Sequence, residues 1–185
     1  MSPDGPLTFP LAGLLAELPG TKRHHEIAEP TLRLPDDLAL AEGIQGTVDI
    51  ARTNRGVYVI ARVHAAIAGA CSRCLRDLVL PVDVEVREEV LPSVDLTTGA
   101  ALDPGVEPEV ARLDGHHQLD LDPLLVEAIS LAEPIAPLCE PDCPGLCLDC
   151  GERLDAGHVA HPTDDVDPRL AALRAFRVDG EGENG

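Results

Sequence analysis

One stretch constrains the fold of this chain more than any other: VYVIARVHAAIAGACSRCLRDLVLPVDVEVREEV, residues 57–90. Its first part sets Val57, Val59, Ala61, Val63, Ala65 and Ile67 at every second position. Tyr58, Ile60, Arg62 and His64 fall between them. Its last part repeats the pattern with Leu78, Leu80, Val82, Val84 and Val86. Alternation of this kind belongs to an extended strand with one buried face. Between the two runs lies Cys71-Ser72-Arg73-Cys74, which predicts a tight antiparallel connection. Upstream, GIQGTVDIART also alternates and meets Val57 across Asn54-Arg55-Gly56, a turn signal. The expected centre is therefore a hairpin, with Arg52 and Arg55 near its tip, built into an antiparallel sheet or partial barrel.

The flanks are less regular. Residues 7–19 predict a short strand or helix that buries Leu7, Phe9, Leu11, Leu14, Leu15 and Leu18. GTKRHHEIAEP reads as a polar strand or connector. Residues 91–115 are rich in Pro, Gly and acid and lack periodicity, so an acidic flexible loop is expected there. HHQLDL suits a short strand. Asp122-Pro123 then opens a helix, Asp122 as N-cap, with Leu124, Leu125, Ala128, Ile129 and Ala132 on its apolar face. Pro134 and Pro137 end it. Asp167-Pro168 repeats that start for a short helix over RLAALRAF. The fold class expected is α+β: the sheet, short helices and a C-terminal zinc-knuckle segment over 137–161. Residues 1–177 are expected to form one domain, with 178–185 a disordered tail.

Aromatic residues make up only 2% of the chain, so its core must come from small aliphatic side chains. Each of these buries less area than an aromatic ring, and cross-links would help. Six cysteines are available: Cys71 and Cys74, then Cys139, Cys143, Cys147 and Cys150 in PLCEPDCPGLCLDCGERL. The N-terminus lacks a basic region and its apolar stretch is broken by Pro10, Gly13 and Glu17, so no signal peptide is expected. No window offers about 18 uninterrupted apolar residues, so no membrane span is expected either. A cytoplasmic protein follows, and reducing conditions favour metal or redox chemistry over disulfides.

Zinc takes four ligands in a tetrahedron, and a Cys-x-x-Cys turn aims two thiolates at one ion. Two such units occur here, with Cys139-x-x-x-Cys143 as a looser pair and His158 and His161 downstream. These eight residues would fill two four-ligand sites. Cys71, Cys74, Cys147 and Cys150 can share one zinc, which is the leading reading. Alternatively, Cys139 and Cys143 complete a site with Cys71 and Cys74, leaving Cys147, Cys150, His158 and His161 for a second. A local site from Cys139 to Cys150 is the third partition. So many thiolates imply closed, structural centres, and no enzymatic activity or small-molecule substrate is expected. A thiol redox or redox-chaperone protein is the alternative; it would want a reactive thiol at a helix N-terminus, which neither unit clearly provides. His64, His116 and His117 read as surface or strand residues.

The net charge of −19 argues against nonspecific nucleic-acid binding by the whole surface. Residues 51–76 depart from this: they hold Arg52, Arg55, Arg62, Arg73 and Arg76 and no acid. This island is either scattered solvated strand residues or a local patch for RNA or an acidic partner.

CSRCL on a strand turn, then DLDPLLVEAISLAEPIAPLCEPDCPGLCLDCGERL, then DPRLAAL, resemble the YceD family in this order. The resemblance runs from about Leu7 to Phe176, and the C-terminal string is its most specific part. It implies a bacterial or plastid protein acting in the accumulation of large-subunit ribosomal RNA, hence in ribosome biogenesis, with a cysteine-based metal site. Many members carry cysteines after the last Cys-Gly unit, where this chain has His158 and His161. If the partner is ribosomal RNA, the five arginines would meet phosphate and Tyr58 would offer a stacking surface. If it is a basic large-subunit ribosomal protein, acidic clusters such as VDVEVREE and TDDVD would bind it.

Overall fold

In the computed structural model the elements run β1 (Thr8–Pro10), α1 (Ala12–Leu15), β2 (Lys22–Glu29), β3 (Ala39–Leu40), β4 (Ile44–Arg52), β5 (Val57–Ala70), β6 (Asp77–Val90), β7 (Gln118–Asp120) and α2 (Asp122–Leu131). The structure describes residues 7–35, 38–103, 105, 109–154, 157–159, 161 and 169. The two alternating runs form β5 and β6, which pair antiparallel along their whole length, from Val57 opposite Val90 to Ala70 opposite Asp77. The other edge of β5 is shared. β4 pairs with its first eight residues, Val57 to His64, and β3 continues along the same edge at Ile67 and Ala68. β2 pairs with β4 and forms the outer strand. The sheet stays open rather than closing into a barrel.

Period-two patterning sets the buried face as expected. Val57, Val59, Ala61, Val63, Ala65 and Ile67 are all buried, and Val82, Val84 and Val86 of β6 lie beside them. Leu78 and Leu80 are only half-buried, because they approach the cysteine end where the cover thins. Ile44, Val48 and Ile50 of β4 extend the same face. Leu7, Leu11, Leu14 and Leu15 close over it from the N-terminus, and Leu113, Leu119, Leu121, Leu125 and Ile129 from the stretch that runs through β7 into α2. Each such Val, Leu or Ile contributes about 1.5–3 kcal/mol of burial. β1 and β7 form a separate two-stranded ribbon.

Several sequence expectations need correction. Leu18 is 81% exposed, since α1 ends at Leu15 and the chain turns outward through a Thr21 N–H to Leu18 carbonyl bond of 3.2 Å. Phe9 is half-buried and lies against the His25 ring at 5.0 Å. Asp122 is not the cap of α2. Leu121 occupies that position, and no side chain caps the helix. The Asp120 carboxylate instead accepts the Asp122 N–H at 3.1 Å. Burial, with Asp120 and Glu29 nearby, raises the pKa of the Asp122 carboxyl.

Residues 91–115 hold isolated bridges, Leu91 with Arg112 and Val94 with Ala101, and no longer element among the described residues. Leu91 donates to Ala111 and Leu113 donates back to Leu91, and both leucines are buried. Apart from Arg169, the helix expected over 169–176 lies outside the described residues, as does the tail 178–185. Among the described residues no helix is long and apolar enough to cross a membrane.

Candidate metal centres

β5 and β6 leave the sheet at Ala70 and return at Asp77, so the first Cys-x-x-Cys unit sits at one end of the long hairpin. Its backbone forms a knuckle. Cys71 N–H donates to the Arg76 carbonyl at 2.8 Å, and Leu75 N–H donates to the Cys71 carbonyl at 2.9 Å. The second unit repeats this pattern. Cys147 N–H donates to the Glu152 carbonyl at 2.7 Å, and Gly151 N–H donates to the Cys147 carbonyl at 2.9 Å. In both, the residue after the second cysteine has positive φ: 56° at Leu75 and 74° at Gly151. Glycine takes that conformation without strain, whereas leucine pays a steric cost. The only sequence trace of this duplication is the Cys-x-x-Cys spacing itself.

The two knuckles do not share one site, and this overturns the leading partition. The structure gathers Cys71, Cys74, Cys139 and Cys143 into one quartet and Cys147, Cys150, His158 and His161 into another. Within each quartet the candidate ligand atoms lie within 4.8 Å of one another. The reason is the path of the chain after α2. Pro137 passes the first knuckle, where its carbonyl accepts the Ser72 N–H at 2.8 Å. That contact delivers Cys139 and Cys143 to Cys71 and Cys74 before the second knuckle begins. Arg73 fastens the arrangement by donating to the Cys143 carbonyl at 3.1 Å.

The spacings fit a tetrahedral ion. Four sulfurs held about 2.3 Å from zinc stand about 3.8 Å apart. Cys71 Sγ lies 3.7 Å from Cys143 Sγ, and Cys74 Sγ lies 3.7 Å from Cys139 Sγ. A disulfide would bring sulfurs to about 2.05 Å, and all six cysteines are free. A thiolate and an imidazole nitrogen on one zinc stand about 3.6 Å apart. Cys150 Sγ lies 3.5 Å from His158 Nε2. The other nitrogen of that ring, Nδ1, is 3.4 Å from Glu152 Oε2. A carboxylate behind a ligating histidine fixes its tautomer and strengthens it as a donor.

Burial separates the quartets. Cys71, Cys74 and Cys143 are buried and Cys139 half-buried, whereas in the second quartet Cys147 is buried, His158 half-buried, and Cys150 and His161 exposed. The thiols are unequal. Burial pushes Cys71 up, yet the facing N–H groups of Cys74, Arg73 and Cys139 outweigh it and bring its pKa down to about 6. The hydrogen bond to Cys143, then burial, push Cys139 up to about 12. Burial also raises Cys143. In the second quartet the N–H groups of Cys150 and Asp149 bring Cys147 down to about 7. The Glu152 N–H favours the Cys150 thiolate, but burial and the Cys147 sulfur raise it overall. Crowded sulfurs cannot all ionise alone, and a dication at the centre would let them do so. Both quartets can hold a metal ion of this kind.

The basic island is not brought together. β5 alone is fourteen residues long, so about 45 Å of strand separates the β4–β5 turn from the knuckle. Arg52 is half-buried, and its guanidinium donates to the carbonyls of Leu15 at 3.1 Å, Gly56 at 2.8 Å and Thr53. Arg62 pairs with Glu85 at 2.8 Å and Asp49 at 3.9 Å. Arg73 holds the first quartet, as above. Arg55 and Arg76 are exposed at opposite ends, and Tyr58 is 37% exposed. Strand register explains the pairing of Arg62: Glu85 on β6 stands directly opposite it. Sequence reasoning missed Glu152 and Arg153, whose roles depend on contacts that spacing does not reveal. Arg153 Nε donates to the Cys74 carbonyl at 3.0 Å.

An open antiparallel sheet carrying two cysteine knuckles at one end defines the class. The chain belongs to the YceD family: residues 59–177 match the family described as large ribosomal RNA subunit accumulation protein YceD. An uncharacterized protein of Mycobacterium tuberculosis is 31% identical over 172 residues, covering 91% of this chain and 80% of its own length. One of Mycobacterium bovis matches equally, and one of Mycobacterium leprae is 32% identical over 117 residues, covering 63% of this chain and 51% of its own. No solved structure matches.

Proposed function

We propose that this protein is a zinc-bound, non-enzymatic factor of large-subunit ribosome biogenesis, acting in the cytoplasm by binding. The family match over residues 59–177 carries this reading, since that family is described by large ribosomal RNA accumulation. The first quartet supports a structural metal: its four thiols would complete a tetrahedron and leave no position open to a substrate. The carboxylate behind His158 suits zinc at the second.

The partner we favour is a basic large-subunit ribosomal protein rather than ribosomal RNA. The net charge is −19. Arg52, Arg62 and Arg73 are engaged by carbonyls and carboxylates of the chain itself. An acidic surface draws basic partners. Depleting the protein is expected to lower large-subunit ribosomal RNA relative to small-subunit RNA, and an unchanged ratio rejects the assignment to biogenesis. Crosslinking in native lysate then separates the partners: ribosomal protein adducts support this reading, and RNA adducts at Arg55, Tyr58 or Arg76 replace it. Rapid thiol labelling without chelator, with a reversible disulfide, would favour redox chemistry instead.

A further inference from the structure

We propose that Arg153 couples the two metal centres, so that filling one raises the affinity of the other. This rests on the reading that both quartets hold metal. The centres meet through a very short stretch of chain. Cys143 belongs to the first and Cys147 to the second, with Pro144, Gly145 and Leu146 between them. Gly145 has a φ of 83° and lies against the first knuckle: a Cβ there would stand 3.3 Å from the Arg73 carbonyl oxygen. Leu146 forms a bridge with Arg153 on the far side of the second knuckle, and Leu154 N–H donates to the Gly145 carbonyl at 3.1 Å. The second knuckle is thus the loop of a minimal hairpin whose root is Gly145 and Leu146.

From that root the Arg153 guanidinium reaches the first knuckle. It donates to the Cys74 carbonyl at 3.0 Å and the Leu75 carbonyl at 3.5 Å. Those carbonyls face Arg153 only when the first turn is closed. Arg153 is held in place only when the second knuckle is formed, because Cys147 and Glu152 close the loop immediately before it. Each ion therefore stabilises the partner surface that the other knuckle needs, and such coupling is reciprocal. A groove of about 550 Å³ between the knuckles, lined by Leu75, Leu146, Glu152, Arg153 and His158, is assembled from both halves. Arg153 is a positioning residue in this account, since it touches neither ion.

The test is a cobalt(II) titration of the full chain, because four-thiolate and two-thiolate, two-imidazole sites differ in absorption. In the natural chain both signatures are expected to grow together and, under chelator, to decay in one phase. In Arg153→Ala the two should separate, the mixed site needing about tenfold more metal. Arg153→Lys should recover part of the coupling, and Arg55→Ala, at the far tip of the hairpin, should leave it intact. Two equivalents filling independently in the natural chain, or filling together in Arg153→Ala, would overturn the coupling alone. Fewer than two equivalents would overturn the two-centre reading and the coupling with it. If Arg153→Ala fails to fold, decay of the natural chain in two separate phases still rejects the proposal.

Discussion

The two ends of the β5–β6 hairpin are held by different chemistry. At the open end, beside the β4–β5 turn at Gly56, the sheet buries Val57, Val59, Ile50 and Val90 in a continuous aliphatic core that α1, β7 and α2 complete. At the other end the buried cluster is Cys71, Cys74 and Cys143, and among the described residues only Leu78, Cys139 and Leu146 pack against it. The first end folds by removing apolar surface from water. The second has too little such surface, and its turns are made of backbone hydrogen bonds and thiols. It is the kind of small unit that a metal ion would close. A chain with 2% aromatic residues can therefore extend a rigid structure beyond its hydrophobic core.

Removing one sulfur should uncouple the two ends. Cys143→Ser should abolish the first centre and expose the amides of both knuckles to rapid hydrogen exchange. The amides of β4 and β5 near Val48 and Val59 should stay protected. Loss of protection throughout would show that the two ends are one cooperative unit.

A core truncation should do the reverse. Leu125 is fully buried in α2. Leu125→Ala is expected to cost about 2–5 kcal/mol in chemical denaturation, with metal content unchanged. A smaller effect is expected at Glu152→Gln, which weakens the carboxylate behind His158: about tenfold in affinity at the second centre, with a lesser loss at the first through the coupling, read by chelator competition. The smallest concerns the one mismatch between the knuckles. Leu75 holds a φ of 56° where its counterpart is glycine. Leu75→Gly should leave folding unchanged or stabilise the first knuckle by up to about 1 kcal/mol. Gly151→Leu should destabilise the second by a similar amount.

Much of the fold was legible because period two is a local signal. The faces of β5 and β6, the turn at Gly56 and the extent of α2 all follow from it and from proline placement. The ligand partition was not, because spacing within the chain says nothing about which segment passes Ser72. The Pro137 carbonyl decides that, and it does so through a tertiary contact. The wide spacing of the arginine island was hidden for a related reason. Its five members are close in sequence, but an extended strand spreads them out. The partners of Arg62 sit on neighbouring strands whose register the sequence leaves open. Asp122 matched a capping pattern, yet Leu121 stands at the cap and the N–H of Asp122 itself goes to the Asp120 carboxylate.

In the proposed arrangement two separate centres hold the knuckle end, one of four cysteines and one of two cysteines with two histidines. Zinc-edge X-ray absorption with metal quantitation on the full chain tests it most directly. Two zinc ions per chain are expected, with an average shell of about three sulfurs near 2.3 Å and one nitrogen near 2.0 Å. One ion per chain bound by four sulfurs would contradict it.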